Sequence, residues 1–197
     1  MDMITESRFD LGIWKYTNLK HSLIHYLHLL PYRHASLCIV LGQCMAERLT
    51  KHRIESSKTK VIGIWHHSNQ ATPLNFKANP LNFDEHLLDK FIVMYAGNAS
   101  SSHSFDPIQS AMHILKDDSQ IHFVFVGDSD KLIEIEGFTR INNLNNFTRL
   151  NPVAWENLST LLSMGNLHLV TLKDELKGTC VPSKLYGIMA AGKPVIF

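Results

Sequence analysis

The sequence predicts an α/β protein, a parallel sheet with flanking helices, and three observations carry that prediction. Phe91–Tyr95 and Ile121–Val126 are continuous apolar runs of strand length, and between them Ile108, Ala111, Met112 and Leu115 recur at helical spacing. Strand, loop, helix and strand in that order form a right-handed βαβ unit, so the two strands lie parallel. The runs are followed by Gly97 and by Gly127-Asp128, and ligands in such sheets bind beyond the carboxyl ends of the strands. The last seventeen residues, Val181–Phe197, repeat the alternation as loop, short helix, glycine stop at Gly192 and a buried strand over Pro194–Phe197. The class is therefore Rossmann-like.

Composition bounds the function. A chain of 197 residues, 45% hydrophobic and 19% charged, can bury a real core. A formal net charge of +1 gives no general attraction for polyanions, which argues against nucleic-acid binding and requires any basic site to be local. Cys38, Cys44 and Cys180 form neither a CxxC pair nor an even framework, and no signal peptide or membrane-length apolar run is present. The chain reads as reduced and cytoplasmic, with room for peripheral membrane contact. Three sequons, at Asn98, Asn146 and Asn157, carry no weight in a cytoplasmic chain.

In chain order, residues 1–20 have no clean period and read as loop or weak helix. His21–Leu30 reads as an amphipathic helix with Leu23, Ile24, Leu27 and Leu30 on one stripe, and His21, His25 and His28 on a solvated face rather than on a metal. Ala35–Leu41 is a short strand, Gln43–His52 a helix with Met45 and Leu49 inward, and Lys60–Trp65 another strand. His66 and His67 are neighbours in an extended segment, so they face opposite sides and do not share a ligand role. Pro73, Pro80 and several Asn mark residues 69–90 as a linker with one helical turn near Glu85–Leu88. Beyond the βαβ unit, Arg140–Asn143 reads as a strand. Asn151-Pro152 then opens a helix with Trp155, Leu158 and Leu162 inward, and Leu167–Leu172 is a buried strand. The division is 1–68, 69–90 and 91–197.

The candidate site gathers at the strand ends. Pro182 suits a first helical position, which leaves the amides of Ser183 and Lys184 at a positive helix end, and Lys184 adds a charge beside them. An ordinary helix–strand unit would have the same outline.

These residues resemble a known family. Pro182-Ser183-Lys184-Leu185, followed by Met189-Ala-Ala-Gly-Lys-Pro-Val-Ile196, resembles the donor-binding motif of family 4 glycosyltransferases, retaining enzymes of the GT-B fold, especially those of bacterial surface polysaccharides. Val93–Asn98, with His103 and Phe105-Asp106, is similar to the first strand and glycine loop of that family's C-terminal domain. The resemblance runs from about Tyr32 to Phe197. It implies the C-terminal half of a GT-B fold holding a nucleotide sugar, most often a UDP-sugar, preceded by a remnant of an N-terminal acceptor domain. By this resemblance the chain is truncated at both ends. Self-association or a partner supplying the missing N-terminal half is then expected.

The donor-binding residues implied are Gly97, Asn98, His103, Gly127, Asp128, Gly178, Thr179, Cys180, Val181, Ser183 and Lys184. No cofactor is implied beyond the nucleotide-sugar co-substrate, and a saccharide or lipid-linked acceptor completes the reaction. Where the family commonly has an Arg and a second basic residue this chain has Asn98 and His103, so diphosphate attraction is weaker and Lys184 is its permanent charge. Two family glutamates align with Thr179 and Gly187, although the Pro-Ser-Lys branch tolerates glycine at the second place. Asp174 and Glu175 read as solvated loop charges. A non-catalytic nucleotide-sugar-binding module is the alternative. A dinucleotide oxidoreductase would need G-x-G-x-x-G after the strand, which Gly97 does not begin.

Overall fold

In the computed structural model, residues 3–65 and 84–197 are described. The expectations for His66, His67 and most of the linker lie outside them. The chain divides into two compact units, residues 1–64 with 173–182, and residues 65–172 with 183–197. Residues 173–182 thus leave the contiguous 91–197 domain expected from sequence. The physical reason is local: the Met3 amide donates to Thr179 O, Arg48 Nη2 donates to Lys177 O, and Val181 packs on the apolar cluster of the first unit.

The first unit holds helices α1 (Ile4–Asp10), α2 (Leu19–His34) and α3 (Gln43–Lys51) around two parallel strands, β1 (Cys38–Val40) and β2 (Thr59–Val61). Asn18 caps α2 through the amides of Lys20 and His21. Met45 and Leu49 are buried as their spacing predicts. The face of α2 is a correction. His25, Leu29 and Tyr32 are buried, whereas Leu23 and Leu27 are half exposed. Stacked aromatics on α1 and the following loop, Phe9 and Tyr16, meet the His25 ring edge-on and draw that face inward.

In the second unit β3 (Phe91–Ala96), β4 (Ile121–Val126), β5 (Phe147–Leu150), β6 (Leu167–Leu169) and β7 (Val195–Ile196) form a parallel sheet in the order β5-β4-β3-β6-β7. The chain reverses its direction of travel across the sheet beside β3, the first strand, and clefts in doubly wound sheets form at such a switch. Short α4 (Glu85–Leu88) precedes the sheet. Helices α5 (Asp106–Ile114), α6 (Asp130–Ile141), α7 (Leu158–Met164) and α8 (Lys184–Ala190) cover it. Met94, Tyr95, Val124 and Phe125 are fully buried, as central strands covered on both faces must be.

Three local expectations are corrected here. Residues 140–141 end α6, because Leu132, Ile135 and Thr139 are buried at helical spacing and Arg140 pairs with Glu136 one turn back; β5 follows at Phe147. Asn151 caps no helix, since a single 3₁₀ turn at Trp155–Asn157 precedes α7 and leaves Trp155 exposed. Ile196 and Phe197 are exposed because β7 is an edge strand.

Candidate functional site

The carboxyl ends of β3 and β4 build the site. Tyr95, the penultimate residue of β3, is fully buried, and burial raises the pKa of its phenol. Its hydroxyl donates to Asn98 O at 3.1 Å and accepts from Lys184 Nζ at 2.9 Å. Lys184 opens α8, and its Nζ lies 4.2 Å from the centre of the Tyr95 ring. This contact does not replace the water that burial removes, and the Lys184 pKa falls from 10.5 to about 8.

Glycine is needed at two strand ends. Gly97 has φ +119°, and a Cβ there would stand 3.2 Å from Lys184 Nζ. At Gly127 a Cβ would meet Gly97 O at 2.8 Å, so the two turns touch through their backbones. Asn98 fastens them further. Its Oδ1 accepts from the Asp128 amide at 3.2 Å, and Nδ2 is the part of the side chain that can donate to a ligand.

Beside these loops lies a cavity of about 450 Å³, the size of a small-ligand site. Gly97, Asn98, Gly127, Ser183 and Lys184 line it on the polar side; Val153, Leu158, Leu161, Leu162 and Ile188 form an apolar wall, with Trp65 and Trp155 also lining it. α8 begins at Lys184, with Ser183 as its N-cap and Pro182 before the cap, one to two residues later than the proline suggests.

Of the residues singled out from sequence, Gly97, Asn98, Gly127, Ser183 and Lys184 therefore come together. Asp128 adjoins them through its amide, and its side chain is exposed. His103 stands edge-on to Tyr95, 6.3 Å between ring centres, and its Nδ1 accepts from the Ser100 amide. Burial and then the Lys184 charge lower its pKa, so it is neutral at neutral pH.

The remaining candidates belong to the first unit. Gly178, at φ +82°, is packed so that a Cβ would meet Cys44 O at 2.7 Å. Thr179 is fully buried with its hydroxyl donated to Leu176 O, Val181 joins the apolar cluster, and Cys180 is partly exposed. Thr179 and Val181 thus have structural work within that unit, and Asp174 and Glu175 are exposed as expected. Sequence reasoning missed Tyr95 as a site residue. The available signal was an aromatic with a polar tip near the end of an apolar strand, two residues before a glycine.

No protein-family model matches the chain. It is 27% identical over 199 residues to the Pseudomonas aeruginosa protein named "Probable glycosyltransferase WbjE", covering 99% of this chain and 48% of that one. It is 30% identical over 104 residues to Escherichia coli K12 "Putative colanic acid biosynthesis glycosyl transferase WcaI", covering 53% of this chain and 25% of the relative. The chain thus spans about half the length of the first of these relatives and matches a quarter of the second. The crystal structure of Anabaena Alr3699/HepE in complex with UDP and glucose matches at TM-score 0.65 and 19% identity, over 93% of this chain and 48% of that one. That likeness speaks for the fold. In sequence and in fold, then, the chain resembles glycosyltransferases of the GT-B architecture and corresponds to about half of one.

Proposed function

We propose that the second unit binds the donor of a glycosyl transfer, a nucleotide sugar whose nucleotide is UDP, and that the chain serves a retaining, family 4-like glycosyltransferase of polysaccharide or glycolipid assembly. The observation that carries the reading is Lys184. Its half-desolvated ammonium faces Gly97 and the rim of an otherwise apolar cavity, which suits a ligand with a flat base and a diphosphate. The base and ribose would lie along the apolar wall and the diphosphate beside Lys184 and Asn98. During transfer the bond from the sugar C1 to the diphosphate oxygen breaks, a bond from C1 to an acceptor hydroxyl oxygen forms on the same face, and the hydroxyl proton passes to the departing diphosphate. Negative charge grows on the departing diphosphate, where a fixed cation helps most. No resident cofactor is required. The acceptor is a saccharide or lipid-linked saccharide, which places the protein in the cytoplasm at the inner face of the membrane. Among the described residues no helix is long and apolar enough to cross one.

A second reading, a nucleotide-sugar-binding module without transfer activity, is favoured by one observation. Thr179 and Gly187 stand where the family's glutamates would, and the Thr179 hydroxyl is spent on Leu176. Calorimetry with UDP and with NAD, followed by transfer and donor-hydrolysis assays over a panel of UDP- and GDP-sugars, tests both. UDP binding with donor hydrolysis or any transfer, however weak, supports the first reading, and UDP binding with neither supports the second. Failure to bind UDP overturns both.

A further inference from the structure

We propose that Glu6, His25 and His52, in the first unit, form a binding site for one zinc-class divalent ion. The inference is independent of the donor-site reading. One ligand atom from each of the three lies within 4.8 Å of the other two. The donors come from α1, from α2 and from the residue that closes α3, so they are far apart in sequence and meet only through folding.

Two of them lack well-formed partners. His25 is 8% exposed, and its Nδ1 has no hydrogen-bond partner among the described residues. Glu6 is 1% exposed; Arg48 Nη1 donates to Oε2 at 3.0 Å, while Oε1 lies 2.6 Å from His52 Nε2 without hydrogen-bond alignment. Buried polar atoms left in this way cost stability, and a shared cation would satisfy both, with His52 as its third ligand.

The chemistry selects the ion. Two imidazoles and one carboxylate suit Zn²⁺ or Co²⁺, whereas Ca²⁺ and Mg²⁺ want oxygen donors. With His52 neutral, as a ligating imidazole must be, Glu6 and Asp10 carry two negative charges against the one positive charge of Arg48, which contacts both. Arg48 holds the carboxylate by Oε2 and leaves Oε1 to the metal, an outer-shell role that ligating carboxylates usually have filled. Around a tetrahedral ion with bonds of about 2.0–2.1 Å, ligand atoms sit about 3.3 Å apart, so Glu6 and His52 would open and His25 would close by roughly 1 Å. Water would complete the fourth position.

The test uses the full chain, freed of metal by chelator dialysis. Titration with Co²⁺ read by its d–d absorption, and with Zn²⁺ against a chromophoric chelator, should show one equivalent bound in a tetrahedral nitrogen–oxygen site. His25→Gln and His52→Gln should each weaken Zn²⁺ by more than the roughly 10–100-fold typical of losing an outer-shell partner, while His21→Gln leaves it unchanged. Imidazole resonances of the wild-type chain identify the ligands even if a variant fails to fold: shifts at His25 and His52 on adding Zn²⁺ support the site. Absence of a stoichiometric tetrahedral Co²⁺ spectrum, or Zn²⁺ uptake with the His25 and His52 rings unmoved, overturns it.

Discussion

Lys184 is charged at neutral pH although its environment opposes the charge, and two expected outcomes follow. Replacing it with Ala should weaken UDP by about 1–3 kcal/mol, the range of a charge-assisted contact, as read by calorimetry. The lysine loses its proton as pH rises through about 8, so UDP affinity should hold from pH 6 to 7 and fall above 8. That assigns the alkaline loss to Lys184. Burial and the Lys184 charge lower the His103 pKa from its ordinary value, so that ring does not titrate with the alkaline fall. His103→Gln should therefore keep the alkaline fall, and Lys184→Ala should abolish it. The same shift has a cost in stability. An amine whose folded pKa is lowered binds fewer protons folded than unfolded, so stability rises with pH between about 8 and the ordinary 10.5. Lys184→Met should raise the ligand-free stability at pH 7 by on the order of 1–3 kcal/mol, seen as a higher Tm in a thermal melt.

Between elements, contacts decide which substitutions matter. Glu6 on α1 is held by Arg48 on α3, and Arg48 also pairs with Asp10 at 2.7 Å. Burial raises the Glu6 pKa, but the contacts from His52 and Arg48 outweigh it, and the net shift is downward. A lowered carboxyl contributes stability above the ordinary carboxylate range and loses it as pH falls through the lowered value. Arg48→Met would leave Glu6 charged and buried, and should cost roughly 3 kcal/mol in denaturant unfolding at pH 7, with less lost at pH 3. The ends of β3 and β4 are bound as closely. An Ala at Gly127 would drive its Cβ into Gly97 O, so Gly127→Ala should lower stability by roughly 1–3 kcal/mol and weaken UDP together, whereas Gly137→Ala, in open space on α6, should do neither.

For the molecule as a whole, donor binding and transfer are separable. On the proposed reading, transfer needs donor and acceptor positioned together, which contributes on the order of 7–11 kcal/mol to rate, while donor binding would ask only for the cavity in the second unit. The 197-residue chain should therefore bind UDP yet show transfer at most weakly, measured with labelled UDP-sugar and a lipid-linked acceptor. Robust turnover by the monomeric chain would contradict this.

Local pattern alone determined the second unit's plan. The runs at Phe91 and Ile121, the turns at Gly97 and Gly127 and the helix near Lys184 are legible because each depends on a few adjacent residues, whose periodicity or lack of a side chain states what the backbone must do. Tertiary structure decided what adjacency cannot show. α6 carries on through residues 140–141 beyond its last buried residue, Thr139, with Arg140 paired to Glu136 one turn back, and Trp155 is exposed where its helical spacing promised burial. The edge position of β7 bares Ile196 and Phe197. Residues 173–182 pack with the first unit through partners more than a hundred positions away, such as Arg48 with Lys177. His25 reads as a solvated histidine on its helix, and it is buried because Phe9, Tyr16 and His52 surround it. The chemistry of Lys184 has the same origin: its identity is in the sequence, but the depressed pKa comes from the desolvation that folding imposes and the Tyr95 ring only partly offsets.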